Sequence, residues 1–138
     1  MKTFSRSWIS SKSKRKQRKY LFNAPLHIKQ KMVASNLSKE LRKKYKLRSI
    51  GVKKGDKVKI MRGQFKKRTG NVEEVDIKNI RVFVAGIEMQ RKEGSKSFYP
   101  LHPSNLQIIE LAADDKRRIN PQNKQEKTKN DKKPSQKE

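Results

Sequence analysis

The sequence predicts a mainly β protein: a small antiparallel barrel, preceded by a basic, partly helical N-terminal extension and followed by a disordered polar tail. Three observations predict it. Between residues 50 and 111, apolar residues alternate with polar ones at period two, the mark of a half-buried strand. That stretch also holds 19 of the 30 Leu, Ile, Val and Phe residues, against ten in 1–49 and one in 112–138. Charge divides the other way. Residues 1–49 carry 16 Lys or Arg and one acid, Glu40, for a net +15, while 50–111 carry +6 and 112–138 carry +4.

The extension, residues 1–49, comes first. Residues 1–20 are acid-free, rich in Ser and basic, and are expected to fold only on a partner. A mitochondrial transit peptide has a similar composition, but here the basic run continues into a patterned segment. A nuclear-import signal within 12–19 is compatible with any of these readings. Asn23-Ala24-Pro25 starts a helix with Ile28, Met32 and Val33 on one face. Ser38 is placed to cap a second helix over 39–45, and Glu40 suits the positive end of its dipole. Leu37, Leu41 and Tyr45 recur every four residues and give that helix a packing side. No strand signal is visible in this segment.

Residues 50–111 read as strands. Val58 and Ile60 alternate with Lys57 and Lys59; Val75 and Ile77 alternate with Glu74, Asp76 and Lys78; Ile80, Val82 and Val84 follow. Lys78-Asn79 between two such runs suggests a tight hairpin, because Asn tolerates positive φ. Gly55-Asp56, Gly63, Gly70, Gly86 and Glu93-Gly94-Ser95 punctuate the rest. Leu106, Ile108, Ile109 and Leu111 give a last strand. Five short strands in about 60 residues suit a barrel, since closing a sheet removes its exposed edges. The tail, 112–138, has one large apolar residue, Ile119, and cannot offset its ordering entropy. It reads either as a solubilising tail or as a weak arm tracking nucleic acid.

Composition bounds the function. The chain has 138 residues and a formal charge of +25, and 31% of it is hydrophobic. No apolar run approaches the ~18 residues that span a membrane. With no Cys, disulfide scaffolds and thiolate zinc sites are excluded. So high a charge repels itself and demands a counter-charge in the working state. Catalysis would need converging titratable groups. The chain offers two His, His27 and His102, neither with a second ligand at metal spacing. Glu73, Glu74 and Asp76 share a candidate strand but read as a solvated face, and there is no phosphate-cradling glycine loop. No enzyme, cofactor, metal or small-molecule substrate is expected.

The basic clusters point to RNA. Lys12, Lys14, Arg15, Lys16, Arg18 and Lys19 form a dense run, with Trp8 before it and Tyr20 and Phe22 after it. Lys and Arg neutralise phosphates, and aromatic rings stack on unpaired bases. Lys66, Lys67 and Arg68 form a second cluster between two expected strands. No helix-turn-helix or zinc finger is present to read a DNA major groove, so irregular RNA fits better.

Residues 52–63, Val-Lys-Lys-Gly-Asp-Lys-Val-Lys-Ile-Met-Arg-Gly, through Gly70-Asn71-Val72 resemble a KOW motif. Upstream, Arg18-Lys19-Tyr20-Leu21-Phe22-Asn23-Ala24-Pro25-Leu26-His27 and Leu37-Ser38-Lys39-Glu40-Leu41-Arg42 resemble the extension of one KOW family. That family is the large-subunit ribosomal protein twenty-four family, in its archaeal and eukaryotic branch (the eukaryotic member is numbered twenty-six). Downstream, His102-Pro103-Ser104-Asn105-Leu106 resembles its C-terminal loop and strand. The resemblance covers roughly 10–111.

It implies an SH3-like barrel bound to large-subunit ribosomal RNA near its 5′ end, beside other large-subunit proteins of the cytoplasmic ribosome. It also implies a place near the polypeptide exit and a role in early subunit assembly. The expected RNA-binding residues are Lys12, Lys14, Arg15, Lys16, Arg18, Lys19, Tyr20, Asn23, His27, Arg62, Lys66, Lys67, Arg68, Gly70, His102 and Asn105. For Gly70 the alternatives are close approach to RNA and a simple turn; for His102 and Asn105, RNA contact and a local turn; for His27, RNA contact and packing. Two positions depart from the family pattern. Lys67 stands where glycine is common, so strain or a reshaped loop is expected there. Gly51 stands where proline is common. A transcription elongation factor also carries KOW barrels, but it expects a folded α/β domain upstream, which 1–49 is too basic to supply.

Overall fold

The computed structural model describes residues 4–5, 11–112 and 118. Four strands carry the alternation seen in the sequence. We number them as they fall in the chain: β3 (Lys57–Ile60), β4 (Thr69–Asp76), β5 (Arg81–Val84) and β8 (Leu106–Glu110). Val58, Ile60, Val82, Val84, Leu106 and Ile108 all point inward and are buried. Each contributes on the order of 1.5–3 kcal/mol by leaving water. Pairing is antiparallel throughout this group, with Val58 opposite both Gly70 on β4 and Ile108 on β8. Val75 faces Val82 across β4 and β5.

The β4–β5 hairpin is wider than the two-residue turn expected at Lys78-Asn79. Residues 77–80 form the loop, so Ile77 and Ile80 fall outside the strands. The Asp76 carboxylate closes it by accepting from the Asn79 backbone N–H (3.1 Å) and from Asn79 Nδ2 (2.6 Å). Those bonds, the backbone one first, hold the Asp76 carboxyl below its ordinary value. Ile80 takes a φ of 56°, unusual for a β-branched residue, and its buried side chain keeps it there.

The N-terminal part corrects a second expectation. A strand, β1 (Ala34–Leu37), lies where none was visible, and β2 (Ser49–Gly51) pairs antiparallel with it. β1 also runs parallel to β8, with Leu37 opposite Ile108. Its inward positions are Ser35 and Leu37, so a buried polar residue hides the alternation, and neighbours on both sides impose the extended form. Buried Ser35 is satisfied by donating its hydroxyl to the Pro103 carbonyl at 2.6 Å. Helix α1 spans Lys14–Asn23, α2 Leu26–Met32 and α3 Lys39–Tyr45. Ser38 caps α3 as expected, its Oγ accepting from the Leu41 N–H at 3.3 Å.

The main sheet has the order β2-β1-β8-β3-β4-β5. It is not closed: β2 and β5 are its end strands, so the closed barrel expected from the strand count is corrected to an open sheet. The outer edge of β5 is taken instead by a single bridge, Val82 to Leu101. A separate hairpin, β6 (Glu88–Gln90) with β7 (Lys96–Phe98), follows β5.

Asp56, expected as turn punctuation, is fully buried. Its carboxylate accepts from the backbone N–H groups of Lys53 (2.9 Å) and Ala112 (3.1 Å). Arg118 meets it with both terminal nitrogens, at 2.8 and 2.5 Å, in the fork geometry that suits a carboxylate. The tail expected to be disordered, 112–138, lies outside the described residues apart from Ala112 and Arg118. Removing one partner of a buried pair strands the other. Asp56→Ala should therefore cost about 3–5 kcal/mol in chemical denaturation. A loss under about 1 kcal/mol would show that the pair does not hold the sheet's end.

Candidate nucleic-acid interface

α1 is built from good helix formers, Lys, Arg and Gln, and ends where Pro25 forbids continuation. None of its residues is buried. Lys14, Arg15, Lys16, Arg18 and Lys19 are all exposed, as is Lys12 just before it. Lys14 lies four residues from Arg18, and Arg15 four from Lys19, so like charges stack along the helix and repel. A ten-residue helix with no buried face is marginal in water.

The other N-terminal candidates sit close by. Tyr20 is half-buried, its ring tilted against Phe4 at 4.8 Å. Asn23 ends α1 and is exposed; His27 is exposed on α2. Trp8 lies outside the described residues.

The second cluster occupies the β3–β4 loop, residues 61–68. Buried Phe65 anchors the loop, edge-on to Tyr99 at 5.2 Å. Backbone bonds close its neck: Lys67 N–H donates to the Ile60 carbonyl (2.8 Å), and Ile60 N–H donates to that of Arg68 (2.9 Å). With the apolar anchor inside, Arg62, Lys66, Lys67 and Arg68 are left exposed, and no acid lies among 61–68. The Arg68 guanidinium rests 5.4 Å from the Phe65 ring. Lys67 has a φ of 74°, so the strain expected at this position is present.

The turn at His102–Asn105 adjoins this loop, because the Asn105 carbonyl accepts from the Met61 N–H at 2.8 Å. A 3-10 helix, Pro103–Asn105, shapes it. His102 caps it: its Nδ1 accepts from the Ser104 N–H at 3.3 Å and lies 2.8 Å from the Ser104 hydroxyl. Desolvation, then the nearby Arg81 charge, lowers the His102 pKa below the ordinary 6.5. Its role near neutral pH is thus that of a hydrogen-bonding imidazole rather than a cation. Asn105 is half-buried.

Gly70 is neither at a turn nor at an open surface. It lies in β4, and an added Cβ would come within 2.6 Å of the Ala85 carbonyl and 2.7 Å of Val84 Cγ1. Close packing of protein on protein is reason enough for glycine there.

The structure thus gathers Arg62, Lys66, Lys67, Arg68, His102 and Asn105 at one end of β3 and β8, and collects the remaining cations on α1. It adds cations absent from the expected set. Lys43, Lys44, Lys46 and Arg48 are exposed at and after the end of α3, and Arg81 stands beside His102. The first four are legible as a basic run; Arg81 is not, being one polar residue of an alternating strand.

Comparison with known proteins gives this surface its context. Residues 11–124 match the family of ribosomal proteins that comprises L26 of eukaryotes and the archaeal large-subunit protein twenty-four. The chain belongs to this family. A relative named large ribosomal subunit protein uL24, from Methanosphaera stadtmanae, is 48% identical over 108 residues, which is 78% of this chain and 92% of the relative. As a member of this ribosomal family the chain is a structural protein of the cytoplasmic ribosome, not an enzyme.

Two outcomes follow from the geometry of the loop and turn. Lys67→Gly should raise stability by about 1 kcal/mol, because glycine adopts positive φ without the Cβ penalty. An unchanged or lower denaturation midpoint would show that Lys67 is not strained. His102 binds its proton less readily in the folded chain than in the unfolded one. Its contribution to stability is therefore present above 6.5 and lost as pH falls through the depressed folded value. Urea midpoints measured from pH 7 to 5 should fall, and His102→Asn should flatten that fall. An equal fall in both proteins would assign the effect elsewhere.

Proposed function

We propose that the chain binds large-subunit ribosomal RNA near its 5′ end and fixes RNA helices in place by neutralising their phosphates, without turnover. The observation that carries this reading is α1: ten residues, five of them cations, none buried and none acidic. A surface of that kind is stabilised by a phosphate backbone and by little else. The relative's name supports the large subunit as the site of action. The location near the 5′ end, the position near the polypeptide exit and the part in early assembly rest on the family resemblance. So does the presence of other large-subunit proteins alongside.

In this reading residues 50–111 are the KOW unit, with SH3-like strand connections. The meander β3-β4-β5, with β8 antiparallel beside β3, and the crowded Gly70 support it. The unit serves as a rigid base that presents the 61–68 loop and the His102–Asn105 turn. Residues 1–49 supply most of the electrostatic attraction, and 112–138 are a polar tail of minor weight. The RNA-facing groups are Lys12, Lys14, Arg15, Lys16, Arg18, Lys19, Asn23 and His27 on the extension, and Arg62, Lys66, Lys67, Arg68, His102 and Asn105 on the sheet.

Binding to a transcript of the 5′ region of large-subunit RNA should fall steeply with salt. If about six phosphates are neutralised, log K against log salt has a slope of roughly −4 to −5. A slope near zero would contradict the electrostatic mechanism. Deleting residues 1–22 should weaken binding far more than deleting 119–138, a cut that keeps Arg118 on Asp56; equal losses would contradict the division of labour.

A further inference from the structure

We propose that Phe22 is a stacking platform for an unpaired base of the bound RNA. The inference rests on the RNA-binding reading and adds a contact of a different chemistry. The Phe22 ring is 83% exposed, more than any other large apolar side chain among the described residues. It sits in the last turn of α1, four residues after Arg18, three after Lys19 and seven after Arg15. Those offsets place it on the same helix face as these three cations. Tyr20, one of the three rings named beside the basic run and the one placed among the expected RNA-binding residues, is half-buried and already engaged by Phe4. Phe65 is buried in the loop anchor. Among the described residues, Phe22 is thus the ring of the basic segment that faces outward.

The charge around Phe22 selects its occupant. An apolar pocket on a protein would have to carry an acidic rim to accept a ring set among Arg15, Arg18 and Lys19. A splayed nucleotide supplies both requirements at once, a π face for the ring and flanking phosphates for the cations. A regular duplex buries its base faces, so the matching RNA feature is a bulge, a loop or a helix end.

The experiment uses the full chain and the same 5′-region transcript, with Phe22→Leu, Phe22→Ala and Phe22→Trp, the last in a Trp8→Phe background. Phe22 is exposed, so thermal midpoints should match the parent and loss of folding is not a confounder. Leu and Ala should weaken binding by about 5- to 100-fold, the range for losing one stacked base. The salt slope should stay at the parent value, since no phosphate contact is lost. Trp should bind as the parent does, and its fluorescence should be quenched by the transcript but not by polyphosphate. Parent-like affinity for Phe22→Leu, or absence of quenching, would overturn the proposal while leaving the electrostatic reading intact. A parent protein with a flat salt dependence would overturn both. Full transcript binding by Phe22→Ala, with its incorporation into large subunits lost, would assign the ring to a protein pocket and overturn the stacking role.

Discussion

Excess positive charge is the constraint around which this protein is organised. A charge of +25 on 138 residues opposes any compact state through self-repulsion. The chain meets this by segregation. Buried apolar residues lie mostly between Val33 and Ile108, in and around one open sheet, where acids such as Asp56 and Glu110 are available to pair with Arg118 and Lys57. The cations of α1 have no acid within their own helix and no buried face. The fold is thus complete at the sheet and electrostatically incomplete at the N-terminal helix. In the function proposed above, RNA phosphate is the group that completes it.

The two cationic clusters meet that demand in different ways. α1 presents its charge along a helix whose own stability is marginal, so under the proposed function ordering and binding are coupled there. The 61–68 loop is closed by backbone bonds and pinned by Phe65 within the protein itself. Lys67 keeps a cation on that loop at the expense of a left-handed backbone. Strain of this kind persists where the surrounding structure over-determines it, and it gathers at functional sites. A long-range field at one end and a preset contour at the other suit the proposed role of holding RNA in place.

Where a side chain's role is local, the sequence shows it. Val58 and Ile60 on β3, Val82 and Val84 on β5, and the Ser38 cap all follow from spacing alone. Roles that depend on distant partners are hidden. β1 turns Ser35 inward beside Leu37, so it shows no apolar alternation, and its extended form is imposed by β2 and β8. Asp56 looks like a turn residue because its guanidinium partner lies 62 positions away. Ile80 fits the alternation but belongs to the hairpin loop, where burial overrides its preference for a strand. At the interface, the dense runs 12–19 and 66–68 are legible as charge. The distinction between Tyr20 and Phe22 is not, because it depends on which ring Phe4 covers.

The most direct test of the whole account is sedimentation of a cell extract through sucrose gradients at low and high salt, with detection of this chain. The account predicts co-sedimentation with the large subunit at low salt, and movement toward the top of the gradient as salt screens the phosphate contacts. A chain that stays at the top at low salt would contradict it.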